Sequence, residues 1–299
     1  MKKNLLLVFI LFSLSIFSQS KGDIFREEGS LEKAIVAYKA DLEKDAENYN
    51  NVYNLACAYA LMYKKDSAFY YLKKALNKNS SLWALADNDL LSLTKDKRWK
   101  IIEQQQLAKY QKEKIKLKSP IYAKQLLQLI MKDQSFDYQL DIAKRYYMKK
   151  GKAPHWYYPI AQMKKEITEG NFAIMEKLIA EKGWPTYTKV GKLAADGPLL
   201  IINHHKEEAI RIKYLPKIKR ACLKGEGSCI EYAKIQDRIL VNTGKSQLYG
   251  MQFRYNNKRE LEPFSIQDPK NVDNRRKEIG LEPLKEYLKR KINYDWKIN

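Results

Sequence analysis

Histidine and cysteine are scarce, with three of each in 299 residues. So few histidines leave no room for a His-rich metal site. HExxH, CxxC and GxSxG are all absent, which removes the signatures of zinc proteases, thiol redox enzymes and α/β-hydrolases. The segment Thr243-Gly-Lys-Ser246 ends like a phosphate-binding loop, but the first glycine of that motif would fall at Ile239. No cofactor is implied, and a metal held by carboxylates alone stays open. After the first twenty residues, no apolar run approaches the length of about eighteen that suggests a membrane-spanning helix. Arginine is sparse at 11 against 45 lysines, and the basic residues are spread along the chain. Recognition of bases and phosphates favours Arg forks in a patch, so nucleic acid is not the expected partner despite a net charge of +21.

What is present begins with an address. Lys2 and Lys3 precede an apolar-plus-serine run from Leu5 to Phe17, followed by Ser18, Gln19 and Ser20. That order predicts a cleaved signal peptide over residues 1–20. Thirteen residues span roughly 20 Å as a helix, short of the roughly 30 Å hydrocarbon core. No cysteine follows the run, so no lipid anchor is expected there. The mature chain is expected in a periplasm or outside the cell, with a Lys-rich surface that is either solvated or in contact with an anionic envelope polymer. Oxidising surroundings make Cys222 and Cys229, which flank the loop 223–228, a candidate disulfide. Cys57, in a helical run, reads as a small buried thiol.

A repeat follows the address. Residues 31–45 set over residues 65–79 pair Ala34 with Ala68, Ile35 with Phe69, Tyr38 with Leu72 and Leu42 with Leu76, each at an offset of 34. Small residues at these positions let paired helices approach, and large ones fill the groove between them. Residues 22–80 resemble two tetratricopeptide repeats, with residues 83–102 as a degenerate capping unit. This predicts a short α-solenoid over 21–105 whose groove takes a protein or peptide, then a helical linker over 106–120.

From residue 121 a second, α+β domain is expected. Helical spacing runs through 121–148, the segment 151–159 breaks it, and 171–182 forms an amphipathic helix stopped by Gly183 and Pro185. Val190, Leu193, Ala194, Gly197, Leu200, Ile201 and His204 fall on one helical stripe, which puts His204 toward the core or a pocket floor and His205 away from it. A helix is expected to end near Asp237. Residues 239–241 and 247–255, around the turn 242–245, are expected to form a β-hairpin, with a third strand after Asn256-Asn257.

Here the motifs become specific: Asp133-Gln134, Gly183-Trp-Pro-Thr186, Asn203-His204, Asp237-Arg238, Gln247-Leu-Tyr-Gly-Met-Gln252, Ile266-Gln-Asp-Pro269, Val272-Asp-Asn-Arg-Arg276, Gly280-Leu281 and Glu286-Tyr-Leu288. In this order they resemble an uncharacterised bacterial family of unknown function, DUF6624, over residues 121–288. The resemblance implies no activity. The chain departs from the family pattern at Met251, where Thr is usual, at Asn203, where Gln is usual, and at Lys206, where Asp is common.

Two readings of these residues stand side by side. In one, His204 is a general acid or base oriented by Asp237, and Arg238, Gln247, Tyr249, Gln252 and Trp184 form a shell for a polar ligand. In the other, His204 is a satisfied core histidine, Trp184-Pro185 is a packing turn, the 247–252 stretch serves structure, and Arg275 and Arg276 lie on a solvated face or in ion pairs. Gly250 marks either a bulge or a close approach to the backbone. The leading expectation for the whole chain is an exported binding or scaffolding protein that uses the repeat groove. The alternative is a metal-independent envelope hydrolase or transferase centred on His204.

Overall fold

The computed structural model describes residues 20–298. The expected signal peptide lies outside these residues except for Ser20. Ser20 caps the first helix: its hydroxyl accepts from the Asp23 N–H, and the Asp23 carboxylate accepts from the Ser20 N–H.

The chain is mainly helical. α1 (Lys21–Glu27), α2 (Leu31–Lys44), α3 (Tyr49–Leu61) and α4 (Lys65–Leu76) pack each on the next. Ala34, Tyr38, Ala68 and Leu72, which correspond at the 34-residue offset, are all fully buried. Two short 3₁₀ segments (Trp83–Leu85 and Asn88–Leu93) lead into α5 (Lys97–Glu113). Then come α6 (Pro120–Asp133), α7 (Asp137–Lys150), α8 (Tyr157–Lys182), α9 (Tyr187–Val190), α10 (Lys192–His204), α11 (Glu208–Leu223) and α12 (Cys229–Asn242). A two-stranded antiparallel sheet, β1 (Phe253–Tyr255) with β2 (Leu261–Pro263), precedes α13 (Val272–Glu278) and α14 (Leu284–Ile292).

Three expectations change. Residues 239–241 are the last turns of α12 rather than a strand, because Ile235 and Ile239 fall one helical turn apart and are both buried. The hairpin instead forms around Asn256-Asn257, with Phe253 facing Pro263 and Tyr255 facing Leu261. The run 121–148 is two helices, broken at Gln134-Ser-Phe136, where Phe136 takes a left-handed φ of 65°. The helix expected from Asn171 starts at Tyr157, with Pro159 in its first turn, where a missing N–H costs no helical bond.

The buried residues form one continuous cluster from Ala34 to Leu288, so the N-terminal helices and the segment beyond residue 120 share a core. α6 is its centre: Tyr122, Ala123, Leu126 and Leu127 are at most 1% exposed. α6 packs most closely on α10 and α8. The α6–α10 contact is close because of Gly197, where a Cβ would lie 2.9 Å from the Ile130 side chain. Gly197→Val is therefore expected to destabilise the chain by about 1–3 kcal/mol through overpacking, measured as a lowered urea midpoint. Leu126→Ala should cost about 2–5 kcal/mol by opening a cavity on the same helix.

Candidate active site

The last residue of α6 and the last residue of α10 meet. Asp133 is fully buried, and its Oδ2 lies 3.0 Å from His204 Nδ1. The His204 side chain is 46% exposed, so the ring leans on a buried carboxylate and turns its other edge outward. This corrects the expected stripe: α10 buries Ala194, Gly197 and Ile201, while His204, at the helix end, projects from the core. His205 lies against the Phe172 ring, with centroids 4.4 Å apart.

The pair is held from both sides. Lys164 on α8 donates to the Asp133 carbonyl and, at 2.8 Å, to Asp137 Oδ1. Burial pushes the Asp137 carboxyl up, against the pull of Lys164. At the C-terminal end of α10, where carbonyls lack helical partners, two guanidinium groups supply the donors. Arg238 Nη1 donates to the Asn203 carbonyl at 2.8 Å, and Arg211 Nη1 donates to the same carbonyl at 3.1 Å and to that of His205. Burial and the neighbouring Arg211 pull the Arg238 pKa down. Arg211 is itself gripped by Glu208 through two bonds of 2.9 and 3.1 Å. Arg238 is thus placed to fix the helix end that carries His204, rather than to meet a ligand.

Asp237 does not orient His204. Its carboxylate accepts backbone N–H bonds from Leu248, Tyr249 and Met251 at 2.7–3.1 Å, tying the 247–252 loop to α12. Gln247, fully buried, donates to the carbonyls of Gln252 and Phe264 and accepts from the Gln252 N–H. Gln252 Nε2 donates to the Lys234 carbonyl. Tyr249 is buried edge-on against Tyr232, 6.0 Å between centroids. Arg276, expected on a solvated face or in an ion pair, is 1% exposed; it donates to the carbonyls of Tyr249 and Glu282 and lies 4.8 Å from the centre of the Tyr287 ring. Arg275 clamps the Leu248 carbonyl. Gly250, at φ 76°, leaves room for Leu284, which would lie 2.4 Å from a Cβ there; the close approach is by α14 and not by a ligand. Trp184 packs on Tyr214 at 6.0 Å. Cys222 and Cys229 are joined as a disulfide that links the end of α11 to the start of α12.

A second cluster went unnoticed in the sequence. Cys57, Asp87 and Asp89 are buried, with one ligand atom each within 4.8 Å of the others. The Arg26 guanidinium pairs with Asp89, and the Tyr53 hydroxyl donates to Asp87 at 2.8 Å. Burial pushes the Cys57 thiol well up and the Asp89 carboxyl to about 6, the latter against the pull of Arg26. A metal needs a thiolate and free carboxylate oxygens, so these residues fit a cation poorly.

A family model described as a family of unknown function, DUF6624, matches residues 120–298, more than half of the chain. The chain belongs to the DUF6624 family. No curated protein and no solved structure matches it. Within the DUF6624 segment, the sequence motifs divide by position: buried Asp133 and half-exposed His204 form a pair, Arg238 braces its helix, and Asp237, Gln247, Tyr249, Gln252 and Arg276 build the interior of the closing loop.

Asp237→Asn is expected to cost about 2–4 kcal/mol, since an amide nitrogen would face backbone donors. Thermal melts should show this loss. Burial, partly offset by the N–H bonds, pushes the Asp237 carboxyl to about 6. The folded state therefore holds this proton more tightly than the unfolded one, whose Asp titrates near 3.9. The group's contribution to stability should fall as pH rises from about 4 to about 6 and be flat above, and Asp237→Asn should remove that slope from a pH series of denaturant midpoints.

Proposed function

We propose that this DUF6624 chain is a metal-independent hydrolase or transferase of the bacterial envelope in which His204 moves the proton and Asp133 orients it. The observation that carries this reading is the contact between a fully buried carboxylate and Nδ1 of a half-exposed imidazole. A carboxylate on Nδ1 selects the tautomer with its hydrogen there, which leaves Nε2 as an acceptor on the open edge. Nε2 then takes a proton from water, or from the hydroxyl of an acceptor, as that oxygen attacks the substrate, and returns the proton to the leaving group. The buried Asp133 stabilises the imidazolium that forms between these steps. The disulfide of Cys222 and Cys229 supports an exported chain, because such bonds persist in oxidising compartments.

A binding role for the N-terminal helices is favoured by a separate feature. The 34-residue spacing of buried small and large residues supports tetratricopeptide repeats, and a cavity of about 460 Å³ opens among Tyr49, Tyr53, Asn54, Arg26 and Tyr138. Its occupant on this reading is a protein or peptide delivered to the catalytic segment. The Lys-rich surface supports contact with anionic envelope polymer as a further partner.

The test uses the full mature chain and chromogenic acyl, phosphoryl and glycosyl esters. His204→Gln is expected to lower the rate on the ester accepted by about 10²-fold or more, and Asp133→Asn by less. Nitrogen NMR should show Nδ1–H of His204 in the parent and a loss of that preference in Asp133→Asn. Equal hydrolysis of every ester by the parent and His204→Gln would overturn the reading.

A further inference from the structure

A cavity of about 550 Å³ lies where the 3₁₀ segment after α4 meets α6 and α8. Its walls come from both sides of residue 120: Leu91 from before it, and Ile167 and Ile174 from α8 after it. Its volume falls within the usual ligand range of about 300–1,000 Å³. Among the described residues that line it none is acidic, while Lys95 and Lys132 are basic. Both lysines are exposed, and among the described residues neither has an ion pair. Of its hydroxyls, Ser92 donates to the Ala60 carbonyl and Thr94 to the Leu91 carbonyl. Ser135 is 1% exposed, and its Oγ has no hydrogen-bond partner among the described residues. A buried hydroxyl without a partner is costly, and here it lines an apolar cavity bearing two free ammonium groups.

We propose that this cavity binds a fatty-acyl carboxylate, with the chain against Leu91, Ile167 and Ile174 and the head group met by Lys95 and Lys132. The apolar walls account for the chain, and the absence of acidic residues together with two unpaired lysines accounts for the sign of the head. The Ser135 hydroxyl adds a donor of the kind a carboxylate accepts. A divalent cation is disfavoured because the walls carry no carboxylate. The inference is independent of the role given to His204, which does not line this cavity.

The test is isothermal titration of the mature chain with dodecanoate below its micellar concentration, alongside dodecanol and inorganic phosphate. Dodecanoate is expected to saturate one site, dodecanol to bind about tenfold more weakly, and phosphate alone not to bind. The double variant Lys95→Ala/Lys132→Ala should weaken dodecanoate by about tenfold and leave dodecanol unchanged, in line with modest exposed ion pairs. Ile174→Glu, at a position 44% exposed and so compatible with folding, should abolish both. Thermal melts confirm that each variant is folded. Dodecanoate binding that never saturates, or that survives Ile174→Glu, would overturn the proposal, as would phosphate binding as tightly as dodecanoate, which would mark a plain anion site.

Discussion

The approach of α6 to α10 fixes almost everything that follows. Gly197 removes the side chain that would hold the two helices apart, and Ile130 fills the space it leaves. Once the helices touch along that line, their C-terminal ends come together, and Asp133 and His204 are the residues that occupy those ends. A helix end is a costly place to bury, because its last carbonyls lack partners. Arg211 and Arg238 meet that cost at α10 with guanidinium donors, and Lys164 does so at Asp133. The same groups that satisfy the backbone therefore also hold the imidazole in place against its carboxylate.

The closing loop solves a related problem by another route. Residues 247–252 hold little regular structure, so their N–H and carbonyl groups need side-chain partners when buried. Asp237 supplies acceptors to three of the N–H groups, and Arg275 and Arg276 supply donors to the Leu248 and Tyr249 carbonyls. Charged residues serve here as backbone substitutes. Arg211 and Arg276 are the two buried arginines among the described residues, and both donate to carbonyls, a task that suits a planar fork better than a strongly hydrated ammonium. Arg276 in addition lies over the Tyr287 ring, which provides a partner for its charge that is not a carboxylate.

Much of this was legible in the sequence, and the remainder was hidden for identifiable reasons. The family segment, the helical content and the presence of a small sheet could be read from motif order and periodicity. His204 stood out through the Asn203-His204 motif and its place on a helical stripe. Its pairing with Asp133, also in a motif, did not, since Asp133 lies 71 positions away in sequence and only the α6–α10 packing brings it near. Asp237 was the natural choice by motif, yet its neighbours in space are backbone N–H groups, which carry no sequence signal. The strand expected at 239–241 failed because a short run of β-branched and leucine residues is equally compatible with a buried helix end, and the period of Ile235 and Ile239 decided for helix. Arg276, expected on a solvated face or in an ion pair, is instead buried by the carbonyls it serves.

Met251, Lys206 and Asn203, where the resemblance leads to other residues being expected, fall in three different places. Met251 belongs to the closing loop: its N–H bonds Asp237, and its sulfur lies 3.6 Å from Arg276 Nη1. A thioether there fills the interior beside a guanidinium and has no contact with the imidazole. Lys206 lies beyond the end of α10 and faces Glu169 on α8 at 3.5 Å, both exposed, an arrangement that contributes little to stability. Asn203 is adjacent to His204 in sequence, but its structural role runs through its carbonyl, which two arginines hold and which any residue would supply equally. None of the three alters the contact between Asp133 and His204 Nδ1. These three residues therefore bear on the scaffold around the pair, and the geometry of the pair depends on Asp133, His204 and the helix packing that joins them.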